Sequence, residues 1–281
     1  MVGRHPAFII IRERTLTYLF HPAYPTPQHA QSAQAIVDFF KIRPEPSAVL
    51  LTCSCARGKA TKDSCLDVAI LIPPDLSAEA RRQLERVWQS FYQSEPVFLR
   101  QSQIGAFSHV DLEFHTGVFD PDRHYHGWTS GPDEFELEIG NLLAYSVPLL
   151  EKDARYRDLK NQWLPYYSEA LRTERLEMVL KFCRNNLAHV PLFVRRGLYF
   201  QAFKRMVHAL EEFLQSLFIA RRIYPIAYDK WVREQVVDIL ALPDLYPRLV
   251  GLLEVNHFES AELAEKAALI ETMIGQYIEY D

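Results

Sequence analysis

Four polar side chains stand where they could handle a phosphorylated ligand: Ser54, Asp67, Asp111 and Glu113. A serine at the end of a buried strand, close to free backbone N–H groups, can donate hydrogen bonds to phosphate oxygens. Asp111 and Glu113 are two residues apart in an apolar run, so both carboxylates point to the same face of a strand. Carboxylates that share a face can bind a divalent ion together. The set therefore predicts a site for phosphate and metal.

Three cysteines lie close to this set, at Cys53, Cys55 and Cys65. They could act as soft ligands for zinc or another thiophilic metal. Their spacing is not that of a zinc knuckle or of a CxxC redox motif. We therefore interpret them as small apolar side chains at strand ends, which is how buried cysteines usually behave.

A second pair of residues with possible chemistry occurs much later, at Arg184 and His189. Their spacing resembles the Arg-polar-x-x-x-His motif of HEPN-type ribonucleases. The chain has ten histidines, so this spacing arises easily by chance. The segment also has an apolar stripe of its own, with Cys183 and Leu187, and this stripe explains a helix without catalysis. We predict that Arg184 and His189 are structural or exposed.

Strands and helices must position the first set of residues. Compact apolar runs bounded by turn residues predict strands, and apolar residues at helical spacing predict helices. The predicted strands are residues 8–11, 15–20, 47–52, 66–72, 97–99 and 110–114. The predicted helices are residues 33–40 and 77–92, the second with Ser77 as its N-cap. The polar segment 53–65 therefore connects two buried strands.

The second half of the chain changes character. Helical stripes begin at Leu176, at Phe203 and at Leu263, and Pro225 and Pro243 separate them. The whole pattern predicts an α+β fold class, with an α/β domain over residues 1–150 followed by an all-helical domain over residues 151–281.

Composition and charge limit the classes of function. The 281 residues are 48% hydrophobic and 24% charged, which is typical of a soluble globular protein. The net charge of −5 argues against a generally basic surface for nucleic acid. No stretch reaches about eighteen uncharged apolar residues, the length expected of a membrane span. We expect a reduced, cytoplasmic protein with neither a membrane nor a nucleic acid as its partner.

Residues 53–68 resemble the signature of nucleotidyltransferases of the DNA-polymerase-β superfamily. In that signature a strand runs into Gly-Ser and a turn, and a second strand opens with Asp-x-Asp. The positions that match in type and spacing are Ser54, Ala56, Arg57, Gly58, Ser64 and Asp67. Cys53 stands where the family has glycine, and Cys65 stands where it has the first aspartate. The resemblance is clearest over residues 30–120.

The resemblance implies a mixed sheet and a C-terminal bundle similar to those of the two-domain aminoglycoside nucleotidyltransferases. It implies transfer of a nucleoside monophosphate from a nucleoside triphosphate to a hydroxyl, with Mg²⁺ or Mn²⁺ as cofactor. Asp67 and Asp111 are the expected metal ligands, and Glu113 is the reserve ligand or the base. The residues expected around the nucleotide are Cys53, Ser54, Arg57 and Lys230. The expected acceptor is a small molecule.

The two cysteines predict reduced activity. A Cβ at position 53 hinders the close approach of backbone to phosphate that glycine allows. A thiol at position 65 is a poor ligand for Mg²⁺, which prefers oxygen. The alternative hypotheses are a degenerate nucleotide-binding or regulatory protein of the same fold and, third, a HEPN-type ribonuclease.

Overall fold

The computed structural model of the chain describes residues 21–122 and 131–278. The predicted strands at residues 8–11 and 15–20 lie outside these ranges. The chain divides into two compact units, one comprising Met1–Phe119 and Asn141–Pro165 and the other Asp120–Gly140 and Tyr166–Asp281. The chain therefore passes between the units three times, whereas the sequence predicts a single boundary near residue 150.

The first unit is built around a four-stranded mixed sheet. Its strands are β1 (Ala48–Leu51), β2 (Leu66–Leu71), β3 (Val110–His115) and β4 (Val147–Glu151). They lie in the order β3-β2-β1-β4. β1 pairs antiparallel with both β2 and β4, whereas β2 and β3 are parallel. The parallel pair is the one that carries Asp67 and Asp111.

Helices cover one face of this sheet. They are α1 (Pro27–Lys41), α3 (Ala78–Ser94) and α4 (Pro96–Ser102), while a single turn, α2 (Cys53–Ala56), follows β1. Thr26 and Ser77 accept hydrogen bonds from backbone N–H groups as the N-caps of α1 and α3. The core under these helices combines aromatic rings with the strand residues Val49, Val68 and Ile70. Because alternate residues of a strand point to opposite faces, Asp67 and Ala69 point away from this core.

Two details of the first unit differ from the sequence prediction. Residues 97–99, predicted as a strand, belong to helix α4. Pro96 takes the first helical position, where proline is favoured because its missing N–H would have no helical partner. The sequence analysis did not predict β4, which contains Pro148. The β1–β4 pairing shifts register between Val49 and Leu50, and proline is tolerated in such an irregular edge strand.

The remaining helices are α5 (Phe135–Ile139), α6 (Arg155–Trp163), α7 (Glu169–Arg195), α8 (Tyr199–Arg221), α9 (Leu245–Leu253) and α10 (Glu262–Tyr277). Two π-helical segments, Gly140–Ala144 and Glu234–Ile239, accompany them. In the second unit α7 and α8 form a hairpin, and α10 packs against both. The apolar residues of this bundle form one continuous core that includes Val179, Phe213 and Ile270. The predicted helical stripes therefore converge.

A buried polar network lies within the second unit. Arg175 of α7 donates to Glu136 at 2.7 and 2.8 Å and to Asp133 at 2.6 Å. Gln215 of α8 donates to both carboxylates at 2.9 Å, and the Tyr167 hydroxyl donates to Glu136 at 2.9 Å. The side chains of Arg175 and Glu136 are 2% and 0% exposed. The network ties the segment Asp120–Gly140 to α7 and α8.

The structure has the predicted α+β class, with a mixed sheet in the first unit and a helical C-terminal region. Among the described residues, no helix combines the length and the apolar character needed to traverse a bilayer.

Candidate active site

Asp67 and Asp111 lie side by side on the parallel strands β2 and β3, where they are direct register partners. Register partners on adjacent strands point to the same face of a sheet. Asp67 is partly buried and Asp111 is exposed. Burial raises the pKa of Asp67, and the charge of Asp111 raises it further. The two carboxylates therefore interact electrostatically, and a cation between them would favour their charged forms.

Cys65 lies two residues before Asp67 and contacts it directly. Its thiol lies 3.2 Å from each carboxylate oxygen of Asp67. Burial raises the pKa of Cys65 to about 12, and the charge and the hydrogen bond of Asp67 act in the same direction. The thiol is therefore protonated at neutral pH and donates to Asp67. A neutral hydrogen-bond donor therefore stands where the nucleotidyltransferase signature that residues 53–68 resemble has a second carboxylate.

The turn after β1 has glycine-like backbone geometry without the glycine. Cys53 has φ +53°, in the left-handed region that side chains with a Cβ rarely adopt. Burial raises the pKa of the Cys53 thiol to about 11, and the charges of Asp67 and Asp111 contribute. Cys53 therefore lies close to both carboxylates. Ser54, the next residue, is partly buried and accepts a backbone hydrogen bond from Lys59 at 2.9 Å.

Side chains from outside the motif anchor the loop between α2 and β2. Buried His29 of α1 lies 3.0 Å from the carbonyl oxygen of Ser64. Ser108, just before β3, donates to the carbonyl oxygen of Lys62 at 2.6 Å. These bonds fix the backbone directly before Cys65, and so they position the start of β2. The sequence analysis assigned no role to His29 or Ser108.

Two histidines flank the acidic positions of β3. The Nε2 atom of His115 lies 3.3 Å from a carboxylate oxygen of Glu113. His109 is exposed. Burial has the largest effect on the pKa of Asp67 and raises it, whereas the charge of His109 lowers it. Both were missed, although His109, Asp111 and Glu113 follow each other at two-residue spacing. This alternation was the available signal, because it places all three on one strand face.

The other predicted residues lie in several places. The Arg57 side chain is buried, and its charge acts on the nearby Cys53 thiol. Lys230 is exposed in a turn of the second unit, so its role toward a nucleotide stays a prediction. Arg184 forms an exposed ion pair with Glu271, and His189 is bonded to a carbonyl oxygen of its own helix. That Arg184 and His189 are structural or exposed stays a prediction.

The donor set of the site fits an oxygen-preferring cation only in part. In the described part of the chain, no three His, Cys, Asp or Glu side chains gather closely enough to hold a metal ion. Mg²⁺ is often held by only one or two carboxylates together with substrate phosphates. Asp67 and Asp111 supply such a pair. Cys65, a thiol, does not extend this set for Mg²⁺.

Comparison with known proteins assigns no family to the chain. No family model matches the sequence, and no curated protein matches it. Among solved structures the chain is similar to a nucleotidyltransferase-like protein from Exiguobacterium sibiricum 255-15, with 16% sequence identity and a TM-score of 0.45. The match covers 88% of this chain and 74% of that chain. The chemistry of this chain rests on the geometry of its own residues.

Proposed function

We propose that the chain is a metal-dependent nucleotidyltransferase, which moves a nucleoside monophosphate from a nucleoside triphosphate to a hydroxyl of a small acceptor. The observation that carries the proposal is the side-by-side register of Asp67 and Asp111 on parallel strands. Cys53 of the turn after β1 interacts electrostatically with both carboxylates, and a serine next to it in such a turn is a suitable donor to phosphate.

Each residue has a defined part in this proposal. Asp67 and Asp111 hold Mg²⁺ or Mn²⁺, which neutralises the charge of the phosphates when it is bound. Ser54 donates to a phosphate oxygen. Glu113, exposed and beside His115, accepts the proton of the acceptor hydroxyl. The left-handed backbone at Cys53 turns the chain sharply next to the phosphates.

A second candidate function has an observation of its own. The Cys65 thiol donates to Asp67 and so occupies carboxylate oxygens that a cation would need. This contact favours a degenerate site, which binds a nucleotide and regulates a partner but transfers slowly or not at all. Both candidates bind a nucleotide, and they differ in the rate at which they transfer its nucleoside monophosphate.

Calorimetric titration of the whole chain with ATP, GTP, CTP and UTP, with and without Mg²⁺ or Mn²⁺, tests both candidates. Pyrophosphate release in the presence of small hydroxyl acceptors then separates them. We expect cation-dependent binding that Asp67→Ala and Asp111→Ala each weaken by at least 10–100-fold, the usual effect of disturbing a metal site.

Asp75→Ala is the matched control, because Asp75 is an exposed carboxylate of the same unit outside the site. It should bind nucleotide as the wild type does. Binding without pyrophosphate release would favour the degenerate candidate. Failure of every nucleotide to bind to the folded protein, with either cation, would refute both.

A further inference from the structure

Residues 61–64 form a turn that is closed by its own hydrogen bonds, just before β2. The backbone N–H of Ser64 donates to the carbonyl oxygen of Thr61 at 3.0 Å. The backbone N–H of Thr61 donates in return to the Ser64 hydroxyl oxygen at 2.9 Å. Cys65 and the first residues of β2 follow without a gap, so the position of this turn determines where Asp67 lies. We call residues 61–64 the 61–64 turn.

The segment that leads into β3 contacts two successive residues of the 61–64 turn. Ser108, which is 1% exposed, donates from its hydroxyl to the carbonyl oxygen of Lys62 at 2.6 Å. Gly105 packs directly against Asp63, where a Cβ at position 105 would lie 2.9 Å from the Cα atom of Asp63, too close for any side chain. Since this segment continues into the strand that carries Asp111, the turn is tied to the strand of the other carboxylate.

His29 of α1 contacts the third residue of the turn in succession. Its side chain is fully buried, and its Nε2 atom lies 3.0 Å from the carbonyl oxygen of Ser64. A carbonyl oxygen only accepts, so Nε2 carries a hydrogen and donates. The Nδ1 atom lies 2.7 Å from the hydroxyl of Thr26, the N-cap of α1. One ring nitrogen therefore serves the start of the helix, and the other serves the turn.

We propose that His29, Ser108 and Gly105 are positioning residues of the nucleotidyltransferase site, which hold the 61–64 turn so that Asp67 stays opposite Asp111. The inference rests on the proposed function, because it concerns the same two carboxylates. Ligand oxygens must lie at roughly 2 Å from Mg²⁺. A displacement of about 1 Å, caused by a change far from the chemistry, can lower a rate by about 100-fold.

The two contacts of His29 can be removed separately, and this separates positioning from a merely structural role. The amide of asparagine lies near the Nδ1 position of histidine, so His29→Asn retains a partner for Thr26 and loses the bond to Ser64. The amide of glutamine lies near the Nε2 position, so His29→Gln retains the donor to Ser64 and loses the partner of Thr26. A residue that only packs in the core or stabilises the start of α1 gives no advantage to glutamine.

Amide hydrogen–deuterium exchange over residues 61–67 and calorimetric titration with the four nucleoside triphosphates and Mn²⁺ test the proposal on the whole chain. We expect His29→Asn to exchange faster in this segment and to bind nucleotide about 10-fold more weakly, the lower end of the usual effect of disturbing a residue that orients a metal ligand. His29→Gln should resemble the wild type in both measurements. An equal loss in the two variants, or faster exchange without weaker binding, would overturn the proposal.

Ser108→Ala tests the second contact without altering His29, and it removes only one hydroxyl. It should change exchange and affinity in the same direction as His29→Asn. Ser102→Ala is the matched control, because the exposed Ser102 hydroxyl donates to the carbonyl oxygen of Leu99 within its own helix. It should behave as the wild type does.

The exchange measurement keeps this proposal separate from the proposed function. If the wild type binds no nucleotide, the proposed function fails, and exchange alone decides whether the three residues hold the 61–64 turn. Exchange in Ser108→Ala and His29→Asn that equals exchange in the wild type would overturn the proposal whatever the nucleotide affinity.

Discussion

Position 53 shows how a single Cβ changes the character of a site. The backbone there adopts φ +53°, a conformation that costs a residue other than glycine on the order of 1–3 kcal/mol. The glycine of the related signature would adopt it without this cost. The turn therefore has a backbone geometry that suits glycine, although the residue at this position is a cysteine. Surrounding contacts, including the hydrogen bond from Ala23 to the carbonyl oxygen of Cys55, must hold the turn in place.

Position 65 gives the first prediction, since its thiol donates to Asp67. Cys65→Asp removes this donor and adds a second carboxylate. Without a divalent cation the two like charges should repel each other and lower the melting temperature. With Mg²⁺ present, nucleoside triphosphate should bind about 10–100-fold more tightly than to the wild type, because an oxygen ligand has been restored. Calorimetry and thermal denaturation, each with and without Mg²⁺, measure the two effects.

Cys65→Asn is the control for this prediction, because its amide matches the aspartate in size and keeps a donor toward Asp67 without adding charge. It should leave magnesium-dependent binding unchanged. The gain of Cys65→Asp should also vanish in the double variant Cys65→Asp/Asp67→Ala. An unchanged affinity of the folded Cys65→Asp protein would show that position 65 does not face the cation.

For single residues, the sequence predicts which side chains of a strand point to the same face. It does not predict contacts between residues that are far apart in the sequence. The pairing of Asp67 with Asp111 joins two segments whose strand character was readable from their apolar runs. The hydrogen bond between His29 and Ser64 joins residues 35 positions apart, and no local pattern indicates it. A single residue that stabilises a site from another helix or strand produces no periodic pattern in the sequence.

Among the elements, the α7–α8 hairpin contains a buried acid at its interface. Asn186 of α7 donates to both carboxylate oxygens of Glu212 of α8, at 3.0 and 2.8 Å. Burial raises the pKa of Glu212 from 4.5 to about 8. The neighbouring charge of Glu211 raises it too, whereas the Asn186 hydrogen bond and the charge of Arg205 lower it. Near neutral pH the folded hairpin therefore holds a proton that the unfolded chain releases.

The second prediction follows from this proton. Because the pKa of Glu212 is higher in the folded state, the folded chain binds more protons than the unfolded chain between pH 4.5 and about 8. The contribution of Glu212 to the free energy of unfolding should therefore fall as pH rises through this window, by at most about 1.4 kcal/mol per pH unit. Urea denaturation at several pH values should show a flatter dependence for Glu212→Gln than for the wild type.

Glu177→Gln is the matched control, since Glu177 is an exposed carboxylate on α7. Its curve should run parallel to that of the wild type. If Glu212→Gln also runs parallel to the wild type, Glu212 is ionised in the folded protein across this range.

Elements with a strong apolar period were predictable, and short ones were not. The helix at residues 77–92 has its N-cap at Ser77 as predicted, and the strands at residues 47–52 and 66–72 are confirmed to within one or two residues. Three apolar residues at 97–99 fit a strand or a helical turn equally well, and Pro96 decided in favour of the helix. β4 escaped prediction because Pro148 argues locally against a strand.

On the scale of the whole molecule, the network around Arg175 gives the third prediction. Arg175→Met would leave Asp133 and Glu136 buried without their cation. Removing one partner of a buried ion pair typically costs 3–5 kcal/mol, and we expect a loss of about this size in the free energy of unfolding. The triple variant Arg175→Met/Asp133→Asn/Glu136→Gln should recover part of it, because no unpaired charge remains. Urea denaturation measures all three proteins.

Arg184→Met is the matched control, because it breaks an exposed ion pair on the same helix. Such pairs are worth about 1 kcal/mol or less. If Arg175→Met costs no more than this control, the buried network does not hold the segment Asp120–Gly140 in place.

The sequence predicts the α+β class of the protein. It does not predict that the chain passes three times between the two compact units. Alternating strands and helices followed by helical stripes indicate an α+β protein. The segment Asp120–Gly140 belongs to the second unit, where Asp133 and Glu136 form buried ion pairs with Arg175. Pairing between charges that are distant in the sequence has no sequence signature. The domain boundary predicted at residue 150 stays a prediction. Each of the two compact units consists of two separate segments of the chain.

The late position of β4 sets an order of events during synthesis on the ribosome. β1 is made about one hundred residues before its partner β4, so a growing chain cannot complete its sheet when the first three strands have emerged. By the time β4 emerges, Asp133 and Glu136 have also emerged, and they must stay in water until Arg175 follows. We expect the nascent chain to expose an unpaired edge of β1 over this interval, which is when such edges attract chaperones or pair with other chains.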